Sequence, residues 1–236
     1  MTSPPRAAPR DRTHLGLMLA LTFGSGVVDA VSYLALDQVF TANMTGNVLI
    51  LGMALAGGAD LQVLGPLLAL AGFMAGAALA GRVLRRTDDA WTGRTTALVA
   101  LVGSVLLGIA AALLVTGNDP PRSLVLTVTP VLAIVMGVQT ATARHIAVPD
   151  VTTVVVTSTI AGLAAESALG SGRATRTGRR IAAVLLLLAG AAAGTGLLRW
   201  HLGAAPVLAG AIVLTVAALG ARHERNAASR PAAAGP

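Results

Sequence analysis

Apolar runs alternate with short polar breaks along almost the whole chain. Eight runs stand out, at about 15–36, 39–57, 61–84, 94–116, 123–145, 150–168, 180–199 and 204–221. Runs of about 18 apolar residues predict helices that cross a membrane. The breaks carry turn chemistry: Gly57-Gly58, Thr87-Asp88-Asp89, Asn118-Asp119-Pro120-Pro121, Pro149-Asp150, Gly170-Ser171-Gly172 and Ala205-Pro206. No period-two alternation marks a strand. The pattern therefore predicts an all-α integral membrane protein with one membrane domain over 15–221. The stretch 1–14 reads as a polar, Pro-rich cytoplasmic tail, and 222–236 as a disordered cytoplasmic tail. The first run is longer than a signal peptide's apolar core and holds Asp29, so it reads as a retained first helix.

Composition strengthens this picture. The chain has 236 residues, 55% hydrophobic and 11% charged, with a mean hydropathy of +0.76. A soluble domain carries about 25% charged residues. The net charge is +7, and all 17 basic residues are Arg. These arginines flank apolar runs and form no recognition helix, so nucleic acid is not an expected partner. There is no Cys, which excludes disulfides and thiolate chemistry.

The arginines separate two topologies. If all eight runs cross and the N-terminus is cytoplasmic, eleven arginines lie inside and six outside. If 39–57 and 150–168 enter and leave on one side, fifteen lie inside, and only Arg122 and Arg199 lie outside. The second count favours six transmembrane helices plus two re-entrant or broken segments. Against it stands the length of those two segments, nearly enough to span. The halves, about 15–116 and 123–221, also resemble each other. Aligned, Gly26, Ala30, Val39, Thr41 and Thr45 meet Gly137, Ala141, Val151, Thr153 and Thr157, and Gly76 meets Gly190. With three crossings in each half, this predicts an inverted internal repeat, a recurring transporter architecture. Shared membrane composition is the competing explanation of the match.

The two short segments are also where polarity gathers. "TANMTGN" offers Asn43, Thr45 and Asn47, and "DVTTVVVTSTIAG" offers Thr153 and Thr157 among other hydroxyls. Polar backbone at membrane depth survives where protein buries it or a water-filled cavity meets it. A helix starting near Asn43 would point free N–H groups at an anion or a carboxylate. Asp29 lies past the middle of the first run, on a face shared with Thr22, Ser25, Ser32 and Tyr33. An intramembrane carboxylate is costly unless paired, hydrated or protonated, and is a functional candidate for that reason. Its counterpart in the second half is Thr140, with Gln139 beside it. The plain alternative is that all these groups only cap helices or join them by hydrogen bonds. The spacings Gly72/Gly76 and Gly190/Gly194 let helices pack closely, within the chain or in a homodimer.

No enzyme signature is visible. The four histidines lack metal-ligand spacing, and no nucleotide loop or nucleophile motif occurs. No cofactor or metal is expected.

At "GVVDAVSYLALDQVFTANMTGN" and "MGVQTATARHIAVPDVTTVVVTSTIAGL" the chain resembles the YoaK family of bacterial inner-membrane proteins, domain-of-unknown-function family 1275. The motifs fall on Gly26, Asp29, Ala30 and Ser32; on Phe40 and Asn43 to Asn47; on Met136, Gly137, Gln139, Ala141, Ala143 and Arg144; and on Val148 to Thr153. Thr140 stands where that family often has Asn. The resemblance spans about residues 14–222. It implies a multi-pass protein drawn with six spans and supplies no substrate.

Two functions follow as expectations. One is a small-solute or ion permease of the inner membrane, both termini cytoplasmic. Asp29 would be its protonatable group, and Ser32, Asn43, Thr45, Asn47, Gln139, Thr153 and Thr157 its candidate contacts to an unknown small solute or ion. The other is a non-transporting scaffold in the lipid bilayer whose polar residues only join helices or hold a partner. A water-accessible Asp29 favours the first; a dry, helix-bridging one favours the second.

Overall fold

The computed structural model describes residues 9–58, 61–87, 91–146, 156–166 and 177–229. Among these lie eight helices: α1 (Pro9–Ala35), α2 (Met44–Leu55), α3 (Leu64–Leu84), α4 (Gly93–Thr116), α5 (Arg122–Ile146), α6 (Val156–Glu166), α7 (Thr177–Leu198) and α8 (Ala204–Ala228). There is no strand among the described residues. Six helices are long and apolar enough to span a membrane: α1, α3, α4, α5, α7 and α8. The 12 residues of α2 rise only about 18 Å, too little for a hydrocarbon core of about 30 Å. The described part of α6 is 11 residues.

Glycines set the helix directions, because they let backbones touch. A side chain at Gly26 would strike the Leu187 carbonyl, and one at Gly190 the Phe23 carbonyl, while Gly194 faces Val27 and Ala30. Numbers rise together, so α1 and α7 are parallel. Gly72 faces the Pro130 carbonyl, Gly76 that of Ile134, and Gly137 that of Phe73, so α3 and α5 are parallel too. On α4 and α8 the numbers run oppositely: Gly103 faces Leu214, Gly210 faces Leu107, and Gly203 faces Ala110 and Leu114. Those two helices are antiparallel. Eight alternating crossings would make them parallel; six crossings, with α2 and α6 not crossing, give the observed directions.

The packing repeats. With α1, α2, α3 and α4 set against α5, α6, α7 and α8, every packed pair has a counterpart: α1·α7 with α5·α3, α1·α8 with α5·α4, α2·α3 with α6·α7, and α3·α4 with α7·α8. The pairs α4·α8 and α1·α5 map onto themselves. The register repeats as well. Gly26 sits on Leu187 and Ala191 as Gly137 sits on Phe73 and Ala77, and Gly190 sits on Phe23 as Gly76 sits on Ile134. Gly72, Gly76, Gly190 and Gly194, the residues that could mediate a homodimer, are thus all covered within the chain. Between these pairs lies an apolar core of Met18, Leu21, Leu106, Leu113, Leu132, Met136 and Val213.

One end of the bundle carries Ala35, Asn118, Arg122, Arg199 and Leu202; this is the Arg122 face. The other carries His14, Trp91 and His223, whose rings pack together. That cluster bears on the ends of the chain. Both terminal helices reach past the predicted limits: α1 begins at Pro9, and α8 continues through Ala228, where the sequence places a disordered tail from Arg222. Pro is tolerated in a first helical turn. His223 packs on His14, and Arg225 Nε donates to the Ala221 carbonyl (3.3 Å), which carries α8 onward.

Candidate functional site

The chain leaves α1 at the Arg122 face and is tied there at once. The Asp37 carboxylate is buried, pairs with the Arg122 guanidinium, and accepts from Thr129 Oγ1 (2.9 Å). The chain then turns inward, with Gln38 in the left-handed region (φ 54°). Thr41 N–H and Ala42 N–H both donate to Asp29 Oδ1, at 2.8 and 2.7 Å. Asp29 lies six residues before the end of α1, about 9 Å down the helix. From Asn43 the chain climbs back as α2. Gln62, just beyond α2, accepts from Arg122 Nη2 (2.7 Å). Both ends of the segment therefore hang from one arginine, and its foot rests on Asp29. This is a re-entrant segment.

The foot has its own clamp. Asn47 is fully buried; its Oδ1 accepts from Phe40 N–H (2.8 Å) and its Nδ2 donates to the Phe40 carbonyl. The Phe40 ring stacks on Tyr33, with centroids 4.8 Å apart, and lies over Gly46. A Cβ at Gly46 would come within 2.6 Å of that ring. Phe40, Gly46 and Asn47 are thus one packing unit. Asn43 and Thr45 are exposed.

Beside this foot lies a cavity of about 590 Å³ between α1, α2 and α7. Asp29, Asn43, Thr45, Tyr33, Leu49 and Leu187 are on its wall. No contact joins α2 to α7 among the described residues, so the space between them stays open. Asp29 is partly accessible there. The Asn43 N–H and the Thr41 hydroxyl also lie by its carboxylate. Among the described residues no cation pairs with it. A second cavity of about 360 Å³ shares Leu34 and Thr195 with the first and reaches Asn118 and Arg199 at the Arg122 face.

The predicted site residues therefore divide. Asp29, Asn43 and Thr45 meet on one wall. Ser32 is buried and donates to the Asp29 carbonyl (3.2 Å), with Thr41 Oγ1 at 3.5 Å. Asn47 belongs to the clamp. Gln139 is buried on α5; its Nε2 donates to Ser25 Oγ (3.1 Å), and its Oε1 has no hydrogen-bond partner among the described residues. None of these three reaches the cavity, because each is held by a neighbour inside the fold. Thr153 lies outside the described residues, and Thr157 is described only as part of the α6 backbone. Sequence reasoning missed Thr41 and the Asp37–Arg122–Thr129–Gln62 anchor. A signal existed: the arginine count left Arg122 and Arg199 alone on their face, and Asp37 interrupts an apolar run at that same face.

A family model described as Protein of unknown function (DUF1275) matches residues 17–219. The UPF0700 transmembrane protein YoaK of Bacillus subtilis (strain 168) is 33% identical over 153 residues. That match covers 64% of this chain and 65% of the relative's length. No solved structure matches.

Proposed function

This chain belongs to the DUF1275 family of multi-pass membrane proteins, and from that premise we propose that it is a permease for a small solute or ion. The observation that carries the proposal is the partly accessible Asp29 on the wall of a cavity at membrane depth. Ionisable groups inside a membrane are retained where they serve a path or a site. The adjoining cavity, which shares Leu34 and Thr195 with the first, lies toward the Arg199 end of the bundle.

The architecture supports the same reading. Equivalent helix pairs and equivalent glycine contacts are what an inverted repeat produces, and such repeats place a site beside interrupted helices near the midplane. The arginine count supports reading the Arg122 face as outside, both termini as cytoplasmic and the membrane as the inner one. No enzymatic role is proposed.

A second reading rests on a different observation. Asp29 holds the foot of the re-entrant segment through two backbone N–H groups, which is work enough for a purely structural acid. Cysteine labelling on this Cys-free background separates the two. Asn43→Cys and Thr45→Cys should react with small water-soluble thiol reagents far faster than the lipid-facing control Leu188→Cys. Equal protection at all three would remove the water path and leave the scaffold. Cysteines at 86 and 176 should both label from the cytoplasm; opposite sides would overturn the orientation.

A further inference from the structure

Among the described residues, the wall of the cavity beside α2 carries one formal charge and no counter-charge. Asp29 supplies the charge, and one of its oxygens is held by Thr41 and Ala42 N–H. Among the described residues the wall has no Arg, Lys or His; Arg199 lines the adjoining cavity. The rest of the wall is mostly apolar: Ala30, Leu34, Leu49, Leu187 and Ala191, with Tyr33 and Phe40 beside them. At about 590 Å³ the space has the volume of a small-molecule pocket, in which a few polar groups orient an apolar body.

Each class of occupant can be weighed against this wall. An anion would meet the charge of Asp29 with nothing to offset it. A hard metal ion takes about six oxygen ligands at short range, and the wall offers one carboxylate with Asn43 and Thr45 on an otherwise apolar surface. A neutral apolar molecule would leave the carboxylate unmatched in a low-dielectric setting. A single positive charge on an organic body satisfies every part: the head group meets Asp29, the body lies on Leu34, Leu49 and Leu187, and the Tyr33 ring adds a cation–π contact.

We infer that this cavity binds a small organic monocation, an ammonium group carried on an apolar body. The inference rests on the permease reading for the choice of site and names the class of solute that site takes.

The probe is benzyltrimethylammonium, titrated calorimetrically into the full-length protein in a neutral detergent. Its uncharged carbon isostere, neopentylbenzene, and the anion benzenesulfonate are the comparisons. The cation should bind, and neither comparison should displace it. Asp29→Asn should weaken binding by about tenfold or more. Leu49→Trp, at an exposed wall position away from the Asp29 bonds, should block binding with the fold intact. Displacement by the uncharged isostere, or unchanged affinity in both variants, would overturn the inference. Flux of the labelled cation into proteoliposomes tests the permease separately. Binding without flux keeps the cation site and removes transport; flux of a neutral or anionic solute with no cation binding keeps transport and removes the cation.

Discussion

Asp29 and Asp37 sit on the same approach to α2, one at its foot and one at its rim. Both lie in an apolar setting, yet their surroundings are opposite. The side chain of Asp37 is closed on both oxygens, by Arg122 and by Thr129. Asp29 has the Thr41 and Ala42 N–H groups on one oxygen and, among the described residues, no cation at its cavity, whereas the cavity of about 330 Å³ beside Asp37 is lined by its own partner Arg122. Residue type alone would rank the two alike. What distinguishes them is whether the protein itself completes the shell. A completed shell describes an anchor; an incomplete one at a cavity leaves a place for something from outside.

The largest effect should come from breaking the anchor. Arg122→Leu strands a buried carboxylate and frees Gln62, so both ends of the re-entrant segment lose their tether. We expect a loss of about 3 kcal/mol, read as a lower thermal midpoint in detergent. Asp37→Leu combined with Arg122→Leu should recover much of that loss, since no lone charge remains. An unchanged midpoint in the single variant would mean that the ion pair holds nothing, and the contrast with Asp29 would fail.

A smaller effect is expected one layer inward. Asn47→Ala leaves the Phe40 N–H and carbonyl without partners in a buried place, at a cost of about 2 kcal/mol. Asn43→Ala, only four positions earlier, should change stability by no more than about 0.5 kcal/mol, because that side chain faces the cavity. Limited proteolysis of the two variants would check this: faster cleavage near Phe40 is expected in the first alone. Equal behaviour would place both amides in the same role.

That pair also shows where the sequence is legible and where it is not. Run length alone marked eight segments, nearly all long enough to span; the uneven placement of arginines reduced the crossings to six and pointed to the two segments that do not cross. Gly76 and Gly190 aligned in sequence and occupy equivalent contacts in the fold. Asn43 and Asn47 could not be told apart, since helical spacing puts positions four apart on one face. Asn43 precedes the helix, with φ −96° and ψ 85°, so the spacing rule does not apply to it. Gln139 looked like a solute contact for lack of any visible partner, and Ser25 lies in another helix, far away in sequence. Asp37 and Arg122 are equally distant, and only the fold brings them together. The tail from Arg222 looked disordered because its residues are polar, whereas the edge-to-face contact of His223 with His14 depends on tertiary structure.

The finest test compares Asp29→Asn with Asp37→Asn, two substitutions of the same chemistry. Asn at 29 still presents an oxygen to Thr41 N–H and Ala42 N–H, so the foot of the segment keeps its acceptor. Stability should move by less than about 1 kcal/mol. The formal charge is gone, so binding of an organic cation and any flux that depends on it should be lost. Asn at 37 reverses the pattern. The Thr129 bond survives, the charge facing Arg122 does not, and the thermal midpoint falls while the cavity and its affinity persist. Asp29→Leu is the control between them: it removes the charge and also the acceptor, so it should lose both binding and stability. The measurements are a thermal midpoint in detergent and a binding isotherm for each variant. If Asp29→Asn keeps full affinity, or if Asp37→Asn loses affinity at an unchanged midpoint, the two acids do not divide into a site and an anchor, and the open oxygen of Asp29 is an incidental feature of the loop it holds.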